Sequence, residues 1–134
     1  MDIHIAAAAL VRSDGATLLV RKRGTNAFMQ PGGKIDSGEA PLVALYRELA
    51  EELALSPGDG SAATYIGRFE AVAANEEGRR VIAELYRLET EGDFIAQSEI
   101  EEARWILPEE TAEFILAPLT RDHVLPAIWG VEVA

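Results

Sequence analysis

Residues 32–55 read GGKIDSGEAPLVALYRELAEELAL, where a glycine turn leads into a segment rich in leucine and glutamate. In a helix, which turns by about 100° per residue, the large apolar side chains of this segment fall on one stripe. They are Leu42, Leu45, Tyr46, Leu49 and Leu53. Proline is well tolerated in a first helical turn, where its missing N–H costs nothing. The pattern therefore predicts an amphipathic helix that begins near Pro41 and packs this stripe on the core.

The same helix would carry three glutamates on a neighbouring face, because Glu48, Glu51 and Glu52 stand at i, i+3 and i+4. Like charges at this spacing repel each other. Arg47 would offset part of the repulsion, and a hard divalent cation with oxygen ligands would offset more. A solvated acidic face is the simpler interpretation of the charges alone. The Pro-Gly-Gly turn at 31–33 can bring backbone carbonyls close to a ligand, and it favours a metal site instead.

The spacing of the polar residues in this stretch carries a resemblance to a known family. Five residues separate Gly33 from Glu39, seven more precede Arg47-Glu48-Leu49, and single residues precede Glu51-Glu52 and Ala54-Leu55. This arrangement resembles the Nudix box, which is Gly, five residues, Glu, seven residues, Arg-Glu, an aliphatic, one residue, Glu-Glu, one residue, Gly and an aliphatic. Ala54 departs from the pattern, since the family has glycine there. If the chain keeps a left-handed turn at this position, alanine is strained.

The resemblance implies an α+β fold, an α/β/α sandwich with a mixed β-sheet between helices, in a single Nudix domain over residues 1–134. It implies hydrolysis of a phosphoanhydride bond in a nucleoside diphosphate-linked substrate with Mg²⁺ or Mn²⁺. Arg47 is expected to orient the glutamates, and Glu39 to hold Arg47. The implied metal ligands are Glu48, Glu51 and Glu52, the backbone carbonyl of Gly32, and Glu99.

Glu99 enters this set because many Nudix enzymes carry a further glutamate ahead of a strand that contains tryptophan. Glu99 lies six residues before Trp105 and resembles that residue, as an extra metal ligand or as the general base. Glu101 or Glu102 could take its place, and a solvated acidic loop is the alternative without function.

Substrate contacts are predicted around the basic segment at 21–23 and the glycine turn. Alternation in a strand would point Arg21 and Arg23 to the same side, where arginine suits a phosphate. Phe28 either stacks on a base or fills the core. Gln30 stands where the family usually has an apolar residue, which suggests a polar contact to a base or sugar. Gly33 in the turn completes the predicted contacts.

The remaining chain reads as strands and short helices. Residues 3–11 and 17–20 predict a β-hairpin, and the small alanines of the first strand suit a strand covered on both faces. A second hairpin is predicted at 64–74 and 79–89, and a short strand at the end of 99–107. A short helix is expected from Pro108, and a final helix at Leu119–Trp129 with Pro126 limiting its regularity. His4, Arg121 and His123 are interpreted as structural or surface residues.

Composition limits the possible partners. The net charge of −11 opposes binding of polymeric nucleic acid or an anionic membrane, whereas a small phosphorylated nucleotide can bind once cations are recruited. The chain has no cysteine, which excludes thiolate metal sites and disulfides. The apolar run at 5–11 is too short to span a bilayer, so a cytoplasmic location is expected. Many relatives form homodimers, so a homodimer is a further expectation.

The Nudix box accounts for recognition of the pyrophosphate and does not identify the group attached to it. Small size favours a nucleoside triphosphate pyrophosphatase of the MutT kind, which yields a nucleoside monophosphate and pyrophosphate. An ADP-ribose or nucleotide-sugar pyrophosphatase is an alternative, weakened because residues 70–73, Glu-Ala-Val-Ala, carry no subclass marker. A non-catalytic nucleotide sensor is another alternative, and the intact box carboxylates argue against it.

Overall fold

The computed structural model describes residues 2–56, 63–73, 78–91 and 93–130. In these ranges the strands are β1 (Asp2–Val11), β2 (Thr17–Lys22), β3 (Gly32–Lys34), β4 (Thr64–Val72), β5 (Arg80–Glu89) and β6 (Ile100–Ile106). The α-helices are α1 (Pro41–Leu53) and α2 (Leu125–Trp129), with a 3₁₀ helix at Pro108–Glu113 and a π-helical turn at Thr120–Val124. No helix within the described ranges has the length and apolar character needed to cross a membrane.

The strands form one mixed sheet in the order β4-β5-β1-β2-β6, and β3 also pairs with β1. Strand β1 runs parallel to β5 along its whole length, from Asp2 opposite Arg80 to Val11 opposite Glu89. On its other edge, β1 pairs antiparallel with β3 and meets β2 at Val11 opposite Thr17. The predicted first hairpin therefore has its turn, but β1 and β2 diverge beyond it. Further along β1, the glycine turn pairs with this edge of the strand where β2 was expected.

Helices cover both faces of this sheet. Ala6 and Ala8 of β1 belong to the core beneath α1, whereas Ala7 and Ala9 belong to a second core with Leu119 and Val124 on the opposite face. The small side chains let β1 be covered closely on both sides. The predicted α/β/α arrangement is confirmed.

Helix α1 begins at Pro41 and uses the predicted stripe. Leu45, Leu49 and Leu53 are fully buried, and Leu42 and Tyr46 pack partly buried against the same core. Ala40, at the N-cap, makes no side-chain capping bond. Packing of the leucines, which contributes roughly 1.5–3 kcal/mol for each one buried, therefore stabilises the helix more than its termini do.

The C-terminal end of α1 closes through a left-handed residue. Ala54 has φ 55° and ψ 30°, and its N–H donates to the carbonyl of Ala50 while that of Leu55 donates to Leu49. A side chain in this conformation is strained, and glycine is not. The left-handed turn at the position where the family has glycine is therefore present with alanine.

We expect Ala54→Gly to stabilise the protein by about 1 kcal/mol, because the relief of left-handed strain exceeds the extra entropy of glycine in the unfolded chain. Thermal and urea unfolding would measure the change. Ala50→Gly, in the middle of α1, is the matched control and should destabilise by a similar amount. A lower melting temperature for Ala54→Gly would contradict the account.

The second hairpin is confirmed, with β4 antiparallel to β5 from Thr64 opposite Arg87 to Val72 opposite Arg80. Most of the loop predicted at 56–61 and of the turn predicted at 75–78 lies outside the described residues. The short helix expected from Pro108 is present as a 3₁₀ helix, and none of its residues is buried.

The final helix differs from the prediction of one helix over Leu119–Trp129. The N–H of Leu125 donates to the carbonyl of Thr120, five residues back, so the chain makes a π-helical turn before α2. The widened turn directly precedes Pro126, which has no N–H and whose ring would crowd a regular preceding turn. The turn leaves Thr120 and Val124 buried.

Candidate active site

The glycine turn and α1 meet over strand β1. Gly33 lies opposite Ala6, and Gly32 opposite Ala7. A Cβ atom on Gly33 would collide with the carboxylate of Glu48, and one on Gly32 would collide with the carbonyl oxygen of Ala6. Two adjacent glycines thus serve different contacts, one with the helix carboxylate and one with the neighbouring strand.

Glu52 is the most buried acid of this site, with 2% of its surface exposed. Burial raises the pKa of its carboxyl group to about 7, and the charges of Glu48 and Glu99 add to the rise. The N–H of Gly32 lies 3.4 Å from Glu52 Oε1, and this contact and the charge of Lys22 act in the opposite direction. The ionised carboxylate is therefore poorly compensated within the chain.

Glu48 faces the glycine turn from the preceding turn of α1. Burial raises its pKa, and the charges of Glu51 and Glu99 raise it further, while a 2.8 Å hydrogen bond from Arg47 Nη1 to Glu48 Oε2 opposes the rise. Glu51 is 54% exposed at its side chain, and its Oε1 lies 3.7 Å from Arg47 Nη1. The three helix glutamates thus have distinct environments, from buried to exposed.

Arg47 connects the helix to the loop that precedes it. Its Nε and Nη2 donate to both carboxylate oxygens of Glu39 at 3.0 and 2.9 Å, and Nη2 also donates to the carbonyl of Lys34 at 3.2 Å. The bidentate bond lowers the pKa of Glu39 to about 2, and Glu39 also accepts the N–H of Asp36. Arg47 is held from one side and holds Glu48 on the other.

Glu99 approaches the glycine turn from the bend before β6. Its carbonyl accepts the N–H of Arg23, and its Oε1 lies 3.4 Å from Lys22 Nζ. The two alternative acids are paired elsewhere, Glu101 with Arg23 and Glu102 with Arg21. Of the three, Glu99 lines the cavity beside the turn.

The acidic residues fit a hard cation by their chemistry. Within the part of the chain that the structure describes, no three acidic or histidine side chains converge into a ready ligand cluster. The donors are nevertheless carboxylate and carbonyl oxygens. A divalent cation would offset both the cost of burying a charged carboxylate and the repulsion between carboxylates, which raise the pKa values of Glu48 and Glu52. Glu48, Glu51, Glu52, Glu99 and the Gly32 carbonyl could hold Mg²⁺ or Mn²⁺.

A cavity of about 290 Å³ opens beside the turn. Its lining combines polar and charged side chains with an aliphatic floor that β1, β5 and the residue after β4 supply. The floor consists of Ile3, Ile5, Val81 and Ala73, and the remaining lining is Lys22, Arg23, Thr25, Met29, Gln30, Gly32, Gly33, Lys34 and Glu99. The arrangement suits a ligand with a charged end and a flat apolar end.

The residues of the basic segment that face the cavity are not the pair that strand alternation predicted. The pairing of β2 with β6 shifts register between Arg21 and Lys22, and this β-bulge redirects the side chains that follow it. Arg21 donates to the carbonyl of Thr25 and is not part of the cavity wall, whereas Lys22 and Arg23 line it. The structure therefore brings Arg23 to the cavity and leaves Arg21 outside its wall, and Lys22 lines it because the β-bulge breaks the regular alternation.

Phe28 and Gln30 differ in their outcome. Phe28 is 6% exposed and packs edge to face on Phe114, with ring centroids 5.2 Å apart, so it fills the core and is not available to stack on a base. Gln30 lines the cavity although it is 7% exposed. Thr120 Oγ1 donates to Gln30 Oε1 at 2.6 Å, a partner across the fold that the sequence did not reveal.

Comparison with curated proteins finds similarity over part of the chain. A stretch of 50 residues, 37% of this chain, is 44% identical to the RNA pyrophosphohydrolase of Halorhodospira halophila. A stretch of 48 residues is 46% identical to the RNA pyrophosphohydrolase of Psychrobacter cryohalolentis. Each match covers 28% of the relative, so this chain spans little more than a quarter of their length.

Solved structures and a family model extend the similarity over the fold. A MutT NUDIX hydrolase from Burkholderia pseudomallei is 25% identical, with a TM-score of 0.73 and 98% of both chains covered. The E. coli dihydroneopterin triphosphate pyrophosphohydrolase shares the fold at 14% identity, with a TM-score of 0.77 over 96% of each chain. The family model of the NUDIX domain matches residues 2–127. With the box, the fold and the family model in agreement, the chain belongs to the Nudix hydrolase family.

Proposed function

We propose that the chain is a Mg²⁺- or Mn²⁺-dependent nucleoside triphosphate pyrophosphatase that releases a nucleoside monophosphate and pyrophosphate. The observation that carries the proposal is the buried, poorly compensated Glu52 beside the glycine turn, next to a cavity that ends in an aliphatic floor. A triphosphate would lie with its cation beside the site glutamates, and the base would lie over the aliphatic floor. The cavity volume of about 290 Å³ suits a small ligand.

The chain's own residues would divide the work as follows. A bound divalent cation supplies charge neutralisation at the phosphate oxygens and makes water more acidic. Glu48, Glu51, Glu52, Glu99 and the Gly32 carbonyl would hold that cation. Arg47 keeps the Glu48 carboxylate against the glycine turn, and Glu39 fixes Arg47, which limits the geometries that the site can adopt.

The reaction requires a proton acceptor and an approach for the phosphates. Water adds to a phosphorus atom of the anhydride, the bridging P–O bond breaks, and the proton of the water passes to a site carboxylate. Glu52, beside the glycine turn, and Glu99, in the cavity wall, are the candidates for that carboxylate. Lys22 and Arg23 line the cavity and would face the phosphates in the way first expected of Arg21 and Arg23.

A second candidate is removal of pyrophosphate from the 5′ end of RNA, since the matched curated relatives are RNA pyrophosphohydrolases. The net charge of −11 opposes this reading, because binding an RNA strand depends on neutralising its phosphates. Residues that lie outside the matched stretch of those relatives would have to supply the strand contacts. ADP-ribose, nucleotide sugars and a binding role without hydrolysis are further alternatives.

A panel assay with product identification tests the proposal. Nucleoside triphosphates, ADP-ribose, a nucleotide sugar and a 5′-triphosphate RNA oligonucleotide would each be incubated with Mg²⁺, Mn²⁺ or EDTA. We expect monophosphate and pyrophosphate from the free triphosphates only with a divalent cation. Fastest turnover of the RNA oligonucleotide, or of ADP-ribose to AMP and ribose phosphate, would overturn the substrate assignment. Binding without product would favour a sensor, and light scattering of the same sample would test the expected homodimer.

A further inference from the structure

Gln30, in the wall of the cavity, forms a buried polar pair with Thr120. Gln30 precedes the glycine turn and is 7% exposed, whereas Thr120 lies in the π-helical turn and is fully buried. The backbone N–H of Gln30 points at Thr120 Oγ1 at 3.3 Å, and the same hydroxyl lies 2.6 Å from Gln30 Oε1. Buried polar groups of this kind are costly unless they are paired, so the pair holds both side chains in one arrangement.

In the structure the Gln30 carboxamide turns its oxygen towards Thr120. The hydroxyl of Thr120 accepts the backbone N–H of Gln30 and donates its own proton to the carboxamide oxygen of the same residue. The amide nitrogen then lies on the other side of the group. This nitrogen makes no hydrogen bond within the described ranges. It is not shielded from solvent, so it is open to the cavity that Gln30 lines.

The surroundings of this nitrogen limit what it can bind. Among the described lining residues, the four side chains of the aliphatic floor are apolar and offer a ligand no hydrogen bond. A ligand that places a flat ring over the floor therefore meets the NH₂ group of Gln30, which donates hydrogen bonds and does not accept them. An amino group at this place would leave two donors facing each other and both unpaired.

We infer that Gln30 is a specificity-determining residue, selecting nucleobases that present an exocyclic oxo group over those that present an exocyclic amino group. The inference rests on the proposed nucleotide substrate and adds the chemical class of its base. Uracil, thymine, guanine and hypoxanthine meet the requirement, whereas adenine and cytosine present an amino group at the corresponding position. Thr120 acts as the positioning residue, because it holds the carboxamide oxygen and so directs the nitrogen.

Two matched substrate pairs test the selection, UTP against CTP and ITP against ATP, because the members of each pair differ at the oxo or amino position and its adjoining ring nitrogen. We expect kcat/KM of the wild-type protein to favour the oxo member of each pair by roughly 10- to 100-fold. Gln30→Met keeps the length of the side chain and removes its hydrogen bonds. It should bring both ratios close to 1, through slower turnover of the oxo substrates.

Variants of the positioning residue separate direction from mere packing. Thr120→Val keeps the volume but leaves the carboxamide free to turn, so both ratios should fall, whereas Thr120→Ser keeps the hydroxyl and should retain them. Isothermal titration of the Glu52→Gln variant with UTP and CTP gives a binding ratio that does not depend on turnover. That ratio should also favour UTP.

The outcomes distinguish the two proposals. If no triphosphate is hydrolysed and none binds, the proposed function fails and this inference fails with it. If triphosphates are hydrolysed but oxo and amino members react equally, the proposed function stands and the selection by Gln30 is wrong. Unchanged ratios in Gln30→Met would likewise overturn the inference alone.

Discussion

Replacing Glu52 with glutamine should lower kcat by roughly 10²- to 10⁴-fold, and it should also make the metal-free protein more stable above pH 7. The loss of turnover follows from removing a buried anion that would hold the cation or accept the proton of water. The gain in stability follows from the same burial, because glutamine has nearly the same shape and carries no charge that must leave water. Few substitutions are expected to move activity and stability so far in opposite directions.

The pH dependence fixes the sign of the stability effect. Glu52 has a pKa of about 7 in the folded protein, against an ordinary value of 4.5. As the pH rises from 4.5 to about 7 the unfolded chain loses this proton first, so the free energy of unfolding falls over that window. The total fall is about 3 kcal/mol, and it is complete above pH 7. The wild-type protein should therefore show this fall and Glu52→Gln should lack it.

Glu51→Gln is the matched control for stability, since it removes the same charge from the adjacent residue of α1. The Glu51 side chain is 54% exposed, so its substitution should leave the pH dependence of unfolding close to that of the wild type. Urea unfolding of all three proteins in EDTA at several pH values would measure the effect, and steady-state kinetics with Mg²⁺ would measure turnover. Full Mg²⁺-dependent turnover in Glu52→Gln would remove Glu52 from the site.

Local patterns determined much of the fold. The leucine stripe of α1 and the run of alanines in β1 were sufficient to predict a helix on one face and a strand covered on both. The Nudix spacing held because its glycines and carboxylates belong to one contiguous segment, where the turn and the helix period set their relative positions. The departure at Ala54 was also legible, since the left-handed conformation is local to the end of the helix.

Features that depend on contacts between residues far apart in the chain could not be predicted from the sequence. The β-bulge after Arg21 arises from pairing with β6, some 80 residues along the chain. Because of this bulge, the side chain of Lys22 lines the cavity and that of Arg21 does not. The burial of Phe28 depends on Phe114 in the same way. The contact of Gln30 with Thr120 requires the π-helical turn, for which Pro126 was the sole local indication.

Substitution of the two glycines by alanine is the second large prediction, because their expected failures differ in kind. In Gly32→Ala the new Cβ would collide with the backbone of Ala6 in β1, at a φ of 145° that alanine rarely adopts. Backbone cannot turn aside as a side chain can, so we expect a loss of about 3–5 kcal/mol in the free energy of unfolding. Activity of the remaining folded protein would be low as well.

In Gly33→Ala the new Cβ would instead meet the carboxylate of Glu48, which can rotate away. The free energy of unfolding should change by no more than about 1 kcal/mol, while kcat/KM falls by roughly 10²-fold or more, because Glu48 leaves its place between Arg47 and the turn. Gly38→Ala, in the same connection and with open space around its φ of 79°, controls for backbone strain alone and should keep near-normal activity. Measuring unfolding and kinetics on the three variants separates the strand contact from the carboxylate contact.

Equal loss of stability in Gly32→Ala and Gly33→Ala would show that the turn acts as one rigid unit. Full activity in Gly33→Ala would show that the Glu48 carboxylate does not need its position against the glycine.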